Sequence, residues 1–291
     1  MSISVIRKSR VDVYEYINTL FLDRTLQYGD SVLVKPNIVS REPYPTTTDP
    51  EVVAWVLGAL HENGSHITVA DGPAPDKVYV TQDQQKDRAR LSIEQFYREF
   101  KSKLVAADDF PDDLRVNIET LARSIIVESE IADHCKRLGI GVSSIYDSLG
   151  FVKKQHQGVE IRLADTCGFD AIINLPVLKL HSHCGYSGSL KNLYGLLYHF
   201  DKALLHYYAG QGKFNFLQFL DQLPALVGTP IISLTDASRV PSSQERVWGA
   251  SCTYELCDEI WAGDAHEVNR KEFQKLKGKS LLRNHSYSHM R

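Results

Sequence analysis

The chain has 291 residues, of which 43% are hydrophobic, and this is enough to fill the core of one large domain or two small ones. Its 33 Lys and Arg residues stand against 36 Asp and Glu residues, which gives a formal net charge of -3. No overall basic field would therefore attract nucleic acid or anionic lipid, and we expect neither as a partner.

The distribution of apolar residues and cysteines bears on the compartment of the protein. No run of about 18 apolar residues occurs, and the first residues do not resemble a secretion signal. The five cysteines are scattered and form no C-x-x-C pair, which argues against disulfides and against a ferredoxin-type iron-sulfur cluster. We expect a soluble cytoplasmic protein with reduced thiols and no membrane association. The sequence does not determine the oligomeric state, and a homo-oligomer is one of the alternatives.

Strands alternate with helices in the first third of the chain, a pattern typical of a parallel sheet with crossover helices. SVIRKS predicts a first strand, VYEYINTLFLDRT a helix, and SVLVKPNIV a buried strand that ends near Lys35 and Asn37. In TTTDPEVVAWVLGALHENG, Pro50 suits the first turn of a helix and Gly64 suits its end. HITVADGPAP then predicts a strand that brings Asp71 to the same edge of the sheet as Lys35.

The remaining chain predicts a main domain with an insertion. Residues 81–165 contain charged helical patterns and a hairpin around Gln157-Gly158, and we predict that they form an insertion or subdomain. Residues 1–80 and 166–291 then form the main α/β domain. In its second part, FDAIINLPVLKL predicts a buried strand, SGSLKNLYGLLYHF the start of a helix, TPIISLTDAS a strand ending in Asp236, and DEIWAGDAHEVNRKEFQKLKGK a helix. The expected fold is α/β, with a largely parallel Rossmann-like sheet, flanking helices and an inserted or second α/β subdomain.

A stretch rich in reactive side chains runs from Asn174 to Gly195, with the sequence NLPVLKLHSHCGYSGSLKNLYG. Alternate residues of a strand share a face, so Lys179, His181 and His183 would lie together. Because an unpaired lysine is costly to bury, that face should open into a cleft or onto solvent. An ordinary exposed strand end with loop histidines explains the same spacing and remains an alternative.

The two histidines also permit a metal site, in which His181 and His183 would supply two ligands. A third would come from one of the other candidate ligands, which are Cys184, His199, His206 and Asp236. Imidazole and thiolate suit a divalent transition metal such as iron, nickel or zinc, although H-x-H is a short pattern that often arises by chance. No H-E-x-x-H motif is present, which excludes a zinc-protease arrangement.

The segment GYSGSLKN predicts an anion site at the start of a helix. Small residues ahead of a helix leave backbone N–H groups unpaired, and these groups attract an anion together with the charge of Lys191. A carboxylate or a phosphate would fit, but the spacing differs from that of a P-loop. The alternative is that Ser187 or Ser189 only caps the helix.

Three lysines follow or precede a junction between a strand or helix and a loop, namely Lys35, Lys179 and Lys191. We expect these amines to converge on one anionic ligand. Like charge and burial lower the pKa of a lysine in such a group, which makes it available as a general base. The VKPN segment also has a plain structural explanation, a strand end at which Pro36 stops the hydrogen-bond ladder.

Five segments, taken in order, resemble the hallmark blocks of the domain-of-unknown-function 362 family. They are VLVKPNIV, TTDPEVVAWVLGALHENG, ITVADGP, FDAIINLPVLKLHSH and SGSLKNLYGLL, which span about residues 31 to 200, with a fainter echo in ISLTDAS and IWAGDAHEVNR. Many relatives carry ferredoxin-like cysteine runs that this chain lacks, so no cluster of that type is expected here. Asn269 also stands where the family block usually has a second aspartate.

The resemblance implies an α/β domain and a site formed by the Lys-Pro-Asn loop, a Thr-Thr pair, a Lys-x-His element and the Lys-Asn helix start. The residues that it implies are Lys35, Asn37, Thr47, Thr48, Lys179, His181, Lys191, Asn192 and His206. The strand ends and the helix start add three ligand-binding candidates, Asp71, Ser189 and Asp236. A looser similarity to the N-terminal region of nickel-dependent lactate racemase-type proteins suggests carboxylate substrates and lysine and histidine chemistry.

Together these features predict an enzyme that acts on a small anionic metabolite, a carboxylate, by lysine and histidine acid-base chemistry, either metal-assisted or cofactor-free. Lys35, Lys179 and Lys191 would hold the anion and stabilise developing negative charge, while His181 would act as acid, base or metal ligand. The reaction class stays open between elimination, isomerisation and cyclisation, that is, between lyase and isomerase types. The alternative is an iron or other transition-metal redox protein that uses His181, His183 and a thiol, and a third reading is a noncatalytic ligand-binding module.

Overall fold

A computed structural model of the chain describes residues 2–39, 43–73, 122–181, 185–210, 212–241 and 254–278. Its strands are β1 Ser4–Arg7, β2 Ser31–Lys35, β3 His66–Asp71, β4 Val142–Ser144, β5 Phe151–His156, β6 Val159–Ala164, β7 Ala171–Asn174, β8 Lys179–His181, β9 Gly185–Ser187, β10 Ile231–Asp236, β11 Arg239–Pro241, β12 Tyr254–Leu256 and β13 Glu259–Asp264. Its α-helices are α1 Arg10–Leu22, α2 Pro50–Glu62, α3 Glu130–Arg137, α4 Ile145–Ser148, α5 Ser189–Leu193, α6 His199–Gly210, α7 Phe216–Val227 and α8 Ala265–Gly278. A 3-10 turn, Tyr194–Leu196, joins α5 to the segment before α6.

A seven-stranded sheet forms the centre of the fold, with the strand order β1-β13-β10-β7-β2-β3-β4. From β10 to β4 all neighbouring strands run parallel, whereas β13 runs antiparallel to both β1 and β10. The predicted α/β fold with a largely parallel sheet and flanking helices is therefore confirmed.

The chain changes direction across the sheet between β2 and β7. From β2 it continues outward through β3 and β4, and it then returns to the other side of β2 with β7 and β10. Lys35 at the end of β2 pairs in register with Asn174 at the end of β7. In open α/β sheets such a switch point, at the carboxyl ends of the strands, is where ligands bind. The fold thus places Lys35 and Asn174 at the expected position of a ligand site.

Helices cover both faces of the sheet because its central strands are apolar on both sides. In β2, Val32 and Val34 pack in a cluster that includes residues of α1 and α2, whereas Leu33 packs in a second cluster with residues of α5 and α7. Successive strand residues point to opposite faces, so a strand buried on both sides reads as a continuous apolar run. None of the helices in the described ranges is long and apolar enough to cross a bilayer.

Two helix predictions in the second half of the chain were wrong in extent. DEIWAGD is the strand β13 and only the segment from Ala265 onward is helical, because β13 lies between β1 and β10 with Ile260, Trp261 and Ala262 buried. The helix predicted over SGSLKNLYGLLYHF is divided into α5, the 3-10 turn and α6. Periodicity alone does not distinguish a buried strand from the start of a helix.

The predicted hairpin around Gln157-Gly158 is confirmed, since β5 and β6 pair antiparallel across it and both turn residues have positive φ, 48° and 76°. The division into a main domain, 1–80 with 166–291, and an insertion at 81–165 stays a prediction. Residues 81–121, including their charged helical patterns, lie outside the described residues, and β4 extends the main sheet by pairing with β3.

A partly buried ion pair ties the hairpin to the first turn of α6. The Asp201 carboxylate accepts hydrogen bonds from Arg162, through the main-chain N–H at 2.5 Å, Nη2 at 2.8 Å and Nε at 3.2 Å. The Arg162 guanidinium also lies 3.9 Å from the centre of the Tyr198 ring. These contacts fix the start of α6 and hence the position of the next residue, Lys202.

Replacing Asp201 with Ala should lower the free energy of unfolding by about 3 kcal/mol, because the charged and main-chain donors of Arg162 lose their acceptor. Glu160→Ala is the matched control, since it removes a carboxylate that pairs with Lys153 at an exposed site of the same hairpin. We expect that change to cost less than about 1 kcal/mol. Chemical denaturation measures both, and equal losses would contradict the role assigned to Asp201.

Candidate functional site

A buried ion pair joins the ends of β2 and β3 at the switch point of the sheet. The Lys35 Nζ atom lies 2.6 Å from Asp71 Oδ1, and the two residues are 0% and 2% exposed. Asp71 Oδ2 accepts the main-chain N–H of Ile38 at 2.6 Å, and Lys35 also donates to the Pro36 carbonyl. Burial lowers the pKa of Lys35, while Asp71 opposes that change. Lys35 and Asp71 thus lie together at one edge of the sheet, as the strand pattern predicted.

A second buried amine, Lys202 of α6, lies beside this pair. Its Nζ donates to the main-chain carbonyls of Gly72 at 3.0 Å and Pro73 at 3.3 Å, and the residue is 1% exposed. Burial lowers the pKa of Lys202 to about 7; the charges of Lys35 and Lys191 add to the lowering, and Asp71 opposes it. Lys202 was not predicted as a site residue, although its position directly before the apolar residues Ala-Leu-Leu of a helix is a sign of burial in the sequence.

Lys191 of α5 completes the group. Its Nζ lies 4.1 Å from the centre of the Tyr194 ring and 5.5 Å from that of Phe216, which are favourable positions for a cation over an aromatic face. The residue is half-buried, unlike Lys35 and Lys202. We call Lys35, Lys191, Lys202 and Asp71 the amine cluster.

Two glycines allow the amine cluster to pack this closely. A Cβ at Gly195 would lie 2.5 Å from Asp71 Oδ1 and 2.6 Å from Lys35 Nζ. A Cβ at Gly72 would lie 2.6 Å from the Gly195 carbonyl and 2.8 Å from Lys202 Nζ. Neither glycine has a positive φ, so the requirement is for space and not for backbone conformation.

The Lys-Pro-Asn loop and the Thr-Thr pair form a hydrogen-bonded unit next to Lys179. Lys179 Nζ donates to the Thr46 carbonyl at 2.6 Å, and Asn37 Nδ2 donates to the same oxygen at 3.1 Å. Thr48 Oγ1 accepts the Asn37 main-chain N–H at 2.7 Å, and Thr47 is buried beside it. Asn37 and Thr48 therefore shape the loop, and Lys179 is hydrogen-bonded to it. Lys35 and Lys191, by contrast, interact electrostatically with Lys202.

The start of α5 is bound by a carboxylate of the protein itself. The N-cap is Gly188, which has no side chain to cap the helix; instead the Glu272 carboxyl group of α8 accepts the Ser189 main-chain N–H at 2.9 and 3.1 Å. The Glu272 carboxyl group thus occupies the position at which an external anion was expected. Burial raises the pKa of Glu272 to about 8, against the hydrogen bonds from Thr235 and Ser189. Glu272 was not predicted as a site residue, because it occurs in an ordinary charged helix with no motif around it.

Buried amides and hydroxyls connect α5 to the strand ends. Asn192 Nδ2 donates to Asn174 Oδ1 at 2.8 Å, and Asn174 Nδ2 donates to Ser233 Oγ at 2.9 Å and to the Ser189 carbonyl at 3.0 Å. Ser189 Oγ lies 2.7 Å from Ser233 Oγ. In this structure Ser189 and Asn192 hold α5, and hence Lys191, against β7 and β10.

Asp236, predicted as a ligand-binding residue, lies in a different ion-pair group. Lys8 Nζ lies 2.8 Å from Asp236 and 2.7 Å from Asp49, and it is 4.1 Å from the centre of the Tyr44 ring. Burial would lower the pKa of Lys8, but Asp236 and Asp49 outweigh it and raise that pKa above its ordinary value. This group joins β10 to the start of the chain and of α2.

His206 lies in the aromatic cluster that borders Lys191. Its ring stacks on Phe216 with centroids 4.7 Å apart and meets the Tyr194 ring edge-on at 5.2 Å. Tyr194 and Phe216 are the two rings that Lys191 faces. The structure therefore brings His206 close to the amine cluster.

The metal prediction falls largely outside the described residues. His181 ends β8, and His183 and Cys184 lie in the gap that follows it. Across the parts of the chain that the structure describes, no group of three His, Cys, Asp or Glu side chains is placed to hold a metal ion. His199, suggested as a third ligand, is fully buried, and burial lowers its pKa well below the ordinary value.

No curated protein matches the chain. It is similar to a solved structure from Thermotoga maritima, with 12% identity and a TM-score of 0.49, covering 94% of this chain and 59% of that one. It is also similar to the lactate racemase apoprotein from Thermoanaerobacterium thermosaccharolyticum, with 10% identity and a TM-score of 0.48, covering 93% of this chain and 56% of that one. The chain thus spans less than two thirds of the length of either.

A protein family provides the strongest similarity. The family described as Domain of unknown function (DUF362) matches residues 32–257, a range that includes every member of the amine cluster and both of its glycines. The match covers most of the 291 residues. The chain therefore belongs to the DUF362 family.

Proposed function

We propose that this protein is an enzyme that binds a small anionic metabolite, a carboxylate, at the amine cluster and transfers a proton on it through a lysine amine. One observation carries the proposal: two buried amines, those of Lys35 and Lys202, lie within electrostatic range of each other and of the Asp71 carboxylate, and Lys191 adds a further positive charge near Lys202. If both buried amines were protonated, these three buried groups would carry two positive charges and one negative charge. Burying uncompensated charge is costly, so the group favours a bound anion or the loss of a proton.

The position of the cluster in the fold supports the same function. Lys35 ends β2 beside the end of β7, at the point where the strand order reverses. Ligands of open α/β sheets bind at this kind of edge, close to the carboxyl ends of the strands. A small carboxylate at the edge would lie against amines and against the polar ends of β2, β3 and β7.

The three amines are suited to different roles in this proposal. Lys35 is paired with Asp71 and would hold the anion, together with Lys191, which is half-buried and faces aromatic rings. Lys202 would act as the base, because a pKa lowered to about 7 leaves much of the amine unprotonated at neutral pH. Lys179 and His181 of β8 are proposed as a further anion contact and a second acid-base group. Elimination, isomerisation and cyclisation each start with removal of a proton, so the proposal covers all three.

Hydrogen exchange tests the proposed proton transfer. Small mono- and dicarboxylates are first ranked by thermal stabilisation of the protein, and the best of them is then incubated with the protein in D2O. We expect the proton on the carbon next to the carboxylate to exchange, as followed by proton NMR. Lys202→Met should slow this exchange by about 100- to 10,000-fold, the usual contribution of a general base.

The matched control for that experiment is Lys213→Met, since Lys213 is an exposed lysine shortly after α6. Its exchange rate should equal that of the unaltered protein. The apparent rate should also fall as the pH drops below about 7, where Lys202 becomes protonated. Exchange that survives in folded Lys202→Met, or that is absent with every carboxylate, would contradict the proposal.

Packing around Gly195 offers a second test. In Gly195→Ala the new methyl group would collide with Asp71 Oδ1 and Lys35 Nζ, so the ion pair must separate. We expect a loss of about 3 to 5 kcal/mol in unfolding free energy and loss of carboxylate-dependent stabilisation. Gly210→Ala at the end of α6 is the control, because nothing lies within 4 Å of its added Cβ. Denaturation and thermal shifts that do not distinguish the two variants would refute the packing argument.

A further inference from the structure

We infer that Lys202 is also a nucleophile, which forms an imine with the carbonyl carbon of a 2-oxo carboxylate held in the amine cluster. The inference rests on the proposed function, because the same cluster binds the anion. It adds the class of substrate, a carboxylate with an adjacent ketone, and a covalent step.

The hydrogen bonds of Lys202 match an unprotonated amine. Its Nζ donates to two main-chain carbonyls, those of Gly72 and Pro73, and no carboxylate of the described residues pairs with it. A neutral amine has two N–H groups and one lone pair, so two acceptors satisfy its donors and leave the lone pair for attack on an electrophile. An ammonium group would have a third N–H without an acceptor among the described residues. The Lys35 amine differs from that of Lys202, because it donates a hydrogen bond to the Asp71 carboxylate.

The neighbours of Lys202 favour the same state. Lys35 and Lys191 are positively charged groups within electrostatic range of its amine, and Lys202 is almost fully buried. Both burial and nearby positive charge disfavour an ammonium group, which is how enzymes activate a lysine for attack on a carbonyl. The amine is closely packed against Gly72, since a Cβ added there would lie 2.8 Å from Nζ.

A nucleophilic amine beside an anion-binding pair of lysines suits a substrate in which an electrophilic carbon is next to a carboxylate. Lys35 and Lys191 would hold the carboxylate, and in a 2-oxo acid the carbonyl carbon is bonded directly to the carboxylate carbon. The electrophilic carbon then lies one bond from the anchored group, and Lys202, which interacts electrostatically with both of those lysines, would attack it. A carboxylate without a carbonyl would bind at the same amines but offer no carbon for Lys202 to attack.

The covalent step balances without any oxidant or reductant. The Lys202 nitrogen attacks the carbonyl carbon as the C=O double bond opens, and one N–H proton moves to the oxygen. The second N–H proton and this hydroxyl leave together as water, and the carbon–nitrogen double bond forms. Protonation of the imine nitrogen withdraws electrons and makes the C–H bonds on the carbon beyond the former ketone more acidic, since the carbon next to the carboxylate carries no hydrogen in a 2-oxo acid. The imine therefore extends the proposed lysine-mediated proton transfer to that outer carbon.

Reductive trapping tests the inference. The full chain is incubated at about pH 7.5 with pyruvate as the probe and sodium cyanoborohydride, which converts an imine to a stable secondary amine, and the modified lysine is located by peptide mass spectrometry. An ordinary lysine is unprotonated only to about one part in a thousand at this pH. We therefore expect Lys202 to be modified at least about tenfold more than exposed Lys213, and malonate, which lacks a ketone, to compete.

The outcomes separate this inference from the proposed function. Modification at Lys202 that disappears in Lys202→Arg and persists in Lys213→Met supports the imine. Modification of Lys202 no greater than that of Lys213 overturns it, and if carboxylate-dependent hydrogen exchange is still observed, the proposed function stands alone. Because the site is located in the unaltered protein, the result does not depend on the folding of the variant.

Discussion

Lys35 and Lys202 lie next to each other away from solvent, and Asp71 is the carboxylate that faces them both. Water cannot stabilise the charges there, so the balance between amines and carboxylates decides which groups are protonated. The charge of Lys191 adds to the lowering of the Lys202 pKa, and the proposed anion binding and proton transfer both depend on that constraint.

The rest of the site holds these amines in place with its own charged and polar groups. Asp201 fixes the first turn of α6, which carries Lys202, through the Arg162 side chain and main chain. Glu272 binds the start of α5, which carries Lys191, and Gly195 leaves the space into which the Lys35 amine fits. The three amines thus come from three different elements, β2, α5 and α6. Contacts near each lysine fix the position of the element to which it belongs.

The local sequence predicted the position of a side chain where that position follows directly from strand geometry. Lys35 and Asp71 could be assigned to one edge because parallel strands end together, and the Lys191 helix start was recognisable from its small residues. Lys202 and Glu272 were harder to assign, since the sequence of each helix resembles that of an ordinary amphipathic surface helix and the apolar residues after Lys202 are only a weak sign of burial. Their burial arises only when α6 and α8 pack on the sheet. The strand β13 was predicted as helix for the same reason, because its pairing partners β1 and β10 are distant in the chain.

Direct titration of the Lys202 amine tests the central claim, that burial and the neighbouring lysines disfavour the charged form of this amine. NMR of protein labelled with 13C at the lysine Cε, with the Lys202 signal assigned from Lys202→Arg, would follow its protonation. We expect a midpoint near pH 7 that rises when a carboxylate binds. A midpoint near the ordinary lysine value of about 10.4, unchanged by carboxylates, would show that the charged form of Lys202 is not disfavoured and would contradict the proposed site.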